Sequence, residues 1–277
     1  MQTEIKVKVE PDKKSRLSIA EIDHYHKEGF VIPKGKLLPD NEFSDLKNYF
    51  DILLKNWISR GGRPEAMNCP HFYAVELMHW LMHPAVLDLV EPIIGPDILL
   101  FASHFLCKPP GDGQRVPWHE DSSYWQGQWE PMEVVTVWLA LDDSDLENGC
   151  MQVIPKSHLN GYSEYVPVVN EHAVFSTEIK PGTFDETTAV PCILKENHVS
   201  LHHAKAIHGS APNKSTRRRC GYTMRYISAA AKRTFSSSTF QIYQARGKNI
   251  AQNNLSDPTM INKKWVEQFG VNAPKGH

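Results

Sequence analysis

Residues 116–125, VPWHEDSSYW, decide how this chain is read, because they set His119 and Asp121 two positions apart in a β-prone context. On a strand, residues i and i+2 project to the same side. An imidazole and a carboxylate placed that way can take adjacent positions on one metal ion, which is how a 2-His-1-carboxylate site with open positions begins. Glu120, between them, is expected to point away. Alone the pair is a weak signal, since His-x-Asp arises by chance in a chain with 14 histidines.

What surrounds the pair reads as strands. From Ile98 onward the sequence breaks into short apolar or alternating runs separated by Gly, Pro, Asn and Asp, the pattern of consecutive strands in a sandwich or barrel. The runs are ILLFASHFLCK from Ile98, VVTVWLAL from Val134, CMQVIP from Cys150, CILKENHVSLHHA from Cys192 and CGYTMRYISA from Cys220. Asn148-Gly149 is expected to form a hairpin turn between the second and third. Upstream the signal is helical. Ser18-Ile19-Ala20-Glu21 is a capping box that starts a helix ending near Gly29, and residues 30–32 read as a strand. Phe43, Leu46, Tyr49, Phe50, Leu53 and Leu54 recur at helical spacing within 41–57. Residues 74–81 predict a third helix, and 84–90 the start of a fourth. The fold class expected is mainly β with flanking helices, built on a double-stranded β-helix (jelly-roll, cupin-like) core. Residues 1–17 are expected to be a flexible tail and 18–277 one domain. A short amphipathic segment at 265–269 has no functional reading.

Composition narrows the function. A net charge of −2 over 277 residues offers no basic field for a phosphate backbone, so no nucleic-acid partner is expected. Five cysteines (Cys69, Cys107, Cys150, Cys192, Cys220) occur without a Cys-x-x-Cys pair, which reads as free thiols and a cytoplasmic location. No apolar run reaches membrane-spanning length and the opening residues lack a leader, so no membrane partner is expected.

A third metal ligand must come from a distant strand, as a jelly roll brings together residues far apart in sequence. His208, in AIHGSAPNKSTRRRCGYTMRY, is the candidate, with His202 and His203 as competitors. Two imidazoles and a carboxylate leave room on iron for a bidentate 2-oxo acid and then dioxygen. The 2-oxo acid's far carboxylate calls for an arginine fork. By strand alternation Arg217 and Arg219 share one face and Arg218 the other, so alternation leaves Arg217 and Arg219 both open.

Four blocks together resemble the phytanoyl-CoA dioxygenase family of Fe(II)- and 2-oxoglutarate-dependent oxygenases: EGFVIPKG, PWHEDSSYW, VWLALDDSDLENGCMQVIPKSH and IHGSAPNKSTRRR. The likeness spans residues 18–230 or so. It implies that His119, Asp121 and His208 hold Fe(II), and that the cosubstrate arginine is Arg219, eleven residues after His208, with Arg217 second. It further implies that Trp138 and Ser210 line the 2-oxoglutarate pocket, with a weaker part for His104. Halogenating relatives carry a small residue where this chain has Asp121, so the resemblance favours hydroxylation or a related oxidation of a small molecule, with O2 consumed and succinate and CO2 released. Trp118, Tyr124, Trp125 and Trp129 are read as pocket or lid residues, or a cage for a cationic substrate, against plain packing; Lys108 and Arg115 are read as surface cations first, with pairing to an anionic substrate such as a phosphonate or carboxylate as the alternative. Two rivals stand beside this reading: a cupin-like binding or sensor protein that keeps the metal and 2-oxo acid without oxidation, and a zinc-dependent hydrolase, for which an HExxH helix is lacking. Oligomeric state is not legible.

Overall fold

The helix expected after Ser18 spans Ile19–Glu28 and has the reciprocal capping box, with Ser18 accepting from the Glu21 amide and Glu21 reaching back to the Ser18 amide. It ends at Gly29, whose φ of 85° suits a residue without a Cβ. The structure, a computed structural model, describes residues 16–169, 172–234 and 240–269. Most of the expected tail, 1–15, lies outside the described residues. Of its last two positions, Leu17 is buried and Arg16 donates to the carbonyls of Lys36 and Leu37.

The Asp40–Ile58 helix buries Phe43, Leu46, Phe50, Leu53 and Leu54, as its spacing predicts. The expected 74–81 helix is interrupted. Ala74 takes a non-helical conformation, a 3₁₀ turn covers Val75–Leu77, and only Met78–Leu81 is α-helical. Pro84–Ile94 is a full helix with Pro at its first position. It packs on the Val134–Ala140 and Arg219–Ser228 strands.

Two antiparallel sheets form the jelly-roll core. The larger has the order Phe30–Val31, Val199–His203, Val134–Ala140, Arg219–Ser228, Ile98–Lys108, Tyr243–Arg246, with Met67–Asn68 also pairing to Ile98–Lys108. The smaller runs Val190–Pro191, Gln152–Val153, His208–Ser210, Val116–His119. Sequence neighbours therefore alternate between sheets, and the expected hairpin at Asn148-Gly149 is not one. The strands it joins, Val134–Ala140 and Gln152–Val153, lie in different sheets. Asn148 does make a turn, accepting from the Asp145 amide and donating to the Asp143 carbonyl, but the turn carries the chain across the core.

Register makes the large sheet two-faced. Val135, Val137, Leu139, Leu201, Tyr222 and Met224 point outward into the main apolar cluster, where Phe50 of the Asp40–Ile58 helix meets Phe105 at 4.6 Å between centroids. The inner face carries two polar rows. One is His202, Thr136 and Arg225, and the next is Ser200, Trp138, Thr223 and His104. Arg219 and Lys108 face each other at the far end of the same face. Buried polar side chains are costly unless paired, so this face is where function is to be sought.

Candidate active site

His119 is the last residue of the Val116–His119 strand, and His208 opens its neighbour directly opposite, so their rings stand 4.1 Å apart between centroids. The strand stops before Asp121, contrary to the simplest reading. Glu120 keeps an extended conformation and Asp121 begins a 3₁₀ turn, Asp121–Trp125, so the same-side relation survives. His119, Asp121 and His208 are all buried, and one potential ligand atom from each lies within 4.8 Å of the other two.

The donor set fits a divalent metal. His119 Nδ1 meets the Pro117 carbonyl and His208 Nδ1 the Ala206 carbonyl, each at 2.9 Å. A carbonyl only accepts, so each Nδ1 carries the proton and each Nε2 keeps a free lone pair. Burial pushes both imidazoles below their ordinary range, which keeps them neutral. Asp121 is driven upward by burial, but the charge of Arg225 more than offsets this and holds the carboxyl well below the usual carboxylate range. Two neutral nitrogens and one carboxylate are the protonation states that Fe(II) requires.

Arg225 was not singled out in the sequence. Its Nε donates to Asp121 Oδ2 and its Nη2 to Oδ1, both at 3.1 Å, while Thr136 adds a third bond to Oδ2 at 3.1 Å. His202 completes the cluster, with Nε2 3.8 Å from Asp121 Oδ2 and its ring 4.5 Å from that of His208. His203, next in sequence, points elsewhere and approaches Glu133 at 3.7 Å. His202 was read as a competitor of His208 and lies beside it; the signal that could have found Arg225 and Thr136 is a polar residue on one side of an otherwise apolar strand.

At the opposite end of the inner face Arg219 is 1 % exposed. It donates to the Gly149 carbonyl through Nε at 2.9 Å and to Ser210 Oγ at 3.0 Å, and lies over the Trp138 ring at 5.6 Å. Burial lowers its pKa to about 10. No carboxylate pairs with it among the described residues. Lys108, expected at the surface, is fully buried, because its strand position faces Arg219. Its Nζ sits 2.7 Å from Ser210 Oγ, and burial, then the charge of Arg219, pull its pKa down to about 5, which leaves a neutral amine at neutral pH. Arg217 is not brought here. The strand begins at Arg219, so alternation does not extend back to Arg217, which bridges Asp145 and Glu147 at the surface. Arg218 pairs with Asp142 and Asp51.

His104 lies on the inner face with Nε2 on the Glu65 carbonyl at 2.8 Å, and burial pushes its pKa down to about 4. Glu120 turns away as expected and accepts from the Ser163 amide. Trp125 and Trp129 pack on Phe101, and Trp118 packs on Phe184. Tyr124, 45 % exposed, flanks His119 together with Phe175. Arg115 pairs with Glu178. All five cysteines are free and buried. Among the described residues, no helix is long and apolar enough to cross a membrane.

Residues 25–221 match the phytanoyl-CoA dioxygenase (PhyH) family, and the chain belongs to it. Among its relatives, a probable alpha-ketoglutarate-dependent hypophosphite dioxygenase of Stutzerimonas stutzeri is 30% identical over 166 residues, covering 58% of this chain and 56% of that protein. The peroxisomal phytanoyl-CoA dioxygenase of Homo sapiens is 23% identical over 290 residues, covering 94% and 83%. The chain spans about half the length of the first curated relatives it matches, 56%, 45% and 44% for three of them. The fold is shared with the apo non-heme monooxygenase ThoJ, at 24% identity and TM-score 0.72 over 90% of this chain and 93% of that one. It is shared too with EvdO2 from Micromonospora carbonacea var. aurantiaca complexed with 2-oxoglutarate, at 19% identity and TM-score 0.63 over 79% and 94%.

Proposed function

We propose that this protein is an Fe(II)- and 2-oxoglutarate-dependent dioxygenase that oxidises a small molecule. The observation that carries the reading is the convergence of His119, Asp121 and His208 within 4.8 Å. Family membership and the donor set's protonation support it. Bound there, Fe(II) would supply the activation of dioxygen that couples decarboxylation of 2-oxoglutarate, to succinate and CO2, to oxidation of a second substrate.

The chain's own residues then have separable tasks. His119 and His208 present lone pairs fixed by their carbonyl partners, and Asp121 presents a carboxylate fixed by Arg225 and Thr136. Arg219 and Ser210 receive the far carboxylate of 2-oxoglutarate, with Trp138 against it. Gly149 holds Arg219 in place through its carbonyl. The interior position of the triad keeps bulk water from the reacting atoms. Asp121 also fills the position at which a halide would need room, which favours oxygenation. The test is succinate formation from 2-oxoglutarate, dependent on Fe(II) and O2. Turnover by the wild type and none by His208→Ala is the expected outcome. A wild type that binds iron and 2-oxoglutarate without forming succinate supports the sensor alternative instead.

A further inference from the structure

His202 stands beside the triad, 3.8 Å from Asp121, and the tasks above leave it unused. It is 1 % exposed, and both ring nitrogens lack a hydrogen-bond partner among the described residues. A buried imidazole without a hydrogen-bond partner is a standing cost, and one on the inner face beside the triad is suited to a ligand. Its place in the register says which ligand. His202, Thr136 and Arg225 form one row, while the cosubstrate's anion end, Arg219 with Ser210 and Lys108, lies at the other end of the face. Asp121 is tied to the His202 row and the His208 ring lies 4.5 Å from that of His202, so the metal ligands stand beside His202 and away from Arg219. His202 therefore borders the side away from the cosubstrate carboxylate.

Charge points to the ligand's class. With the far carboxylate on Arg219, the cosubstrate's other carboxylate and Asp121 offset a divalent metal, and the charge of Arg225 is then left over beside it, in a buried place where unpaired charge is unfavourable. Arg225 keeps donors to spare. Three of its five N–H groups are engaged, by Asp121 and by Thr223 Oγ1. We infer that His202 and Arg225 form the face that binds the molecule being oxidised, and that this molecule is a small oxyanion whose oxygen accepts from the imidazole. The inference rests on the dioxygenase reading.

The test uses the full chain loaded with Mn(II), without O2, so that binding is read without turnover. Calorimetry measures 2-oxoglutarate first, then methylphosphonate as the oxyanion probe and dimethyl sulfone as its neutral counterpart. The wild type should bind methylphosphonate and not the sulfone. His202→Phe should weaken methylphosphonate by about tenfold or more, the scale of one hydrogen bond to a charged group, while 2-oxoglutarate affinity stays within about twofold. His202→Gln, which restores a donor, should fall between them and guards against a packing artefact in the phenylalanine variant. Equal methylphosphonate affinity in wild type and His202→Phe overturns the inference, as does equal binding of the sulfone, or loss of 2-oxoglutarate in place of the probe. A wild type that binds 2-oxoglutarate but not methylphosphonate removes the inference alone. One that binds neither removes the dioxygenase reading and the inference with it.

Discussion

Replacing Arg219 by Met should cost the protein its cosubstrate while leaving its metal. The guanidinium is 1 % exposed and burial lowers its pKa to about 10, so the fold holds a charge there at a cost on the order of 3 kcal/mol. A carboxylate that docks against it gains two charge-assisted bonds of about 1.5–3 kcal/mol each. Ser210 and Lys108 remain in the variant and retain part of this, which leaves a net loss of about 3 kcal/mol, or on the order of a hundredfold in 2-oxoglutarate affinity. Arg217→Met is the control, because Arg217 is engaged with Asp145 and Glu147 at the surface. It should stay within about twofold. Calorimetric titration of 2-oxoglutarate into Mn(II)-loaded protein reads both. An Arg219→Met affinity within about threefold of wild type, or an equal loss in Arg217→Met, would refute the assignment of the cosubstrate's carboxylate to Arg219.

Asp121→Ala should lower metal content on elemental analysis to background. It should also lower unfolding stability by about 3 kcal/mol, since Arg225 is left buried without its carboxylate; normal metal content contradicts this. Metal-free protein should lose at least about 4 kcal/mol in urea denaturation between pH 7.5 and 5, the share of His71 and His104 alone, with His119 and His208 adding to it in the same direction. His71 and His104 have folded pKa values of about 3 and about 4, so below about pH 6.5 the unfolded chain takes up protons that the native state refuses; flat stability over that window excludes the effect. Gly221→Ala places a Cβ 2.0 Å from Trp138 Cζ2, which should cost about 1–3 kcal/mol, shift tryptophan fluorescence and weaken 2-oxoglutarate. A variant that behaves as wild type contradicts the close packing of Trp138 on that backbone.

Much of the framework is legible in the sequence because it depends on local pattern. The capping box at Ser18, the period of Phe43 to Leu54 and the strand runs from Ile98 all appear where they are read. What sequence leaves open depends on the third dimension. Asn148-Gly149 has the chemistry of a turn, but nothing local says that the next strand pairs in another sheet. Built at Gly149, a Cβ would lie 2.5 Å from the Ala211 carbonyl, and the Gly149 carbonyl meets Arg219, so this glycine serves a close approach that only the closed core creates. Alternation could not separate Arg217 from Arg219, because the strand starts between them. Lys108 reads as a surface cation until its partner strand shows which face it takes. The same-side placement of His119 and Asp121 was legible through the His-x-Asp spacing, but the clamp on Asp121 was not, since Arg225 follows it by 104 residues and meets it only through sheet register.

The proposed hold of His119, Asp121 and His208 on Fe(II), open to 2-oxoglutarate, is tested most directly by the visible absorption spectrum of the iron-loaded protein as 2-oxoglutarate is added without O2. A charge-transfer band that saturates at one equivalent in the wild type, and that is absent in Asp121→Ala, is the predicted result. Fully iron-loaded wild-type protein that develops no band contradicts the claim.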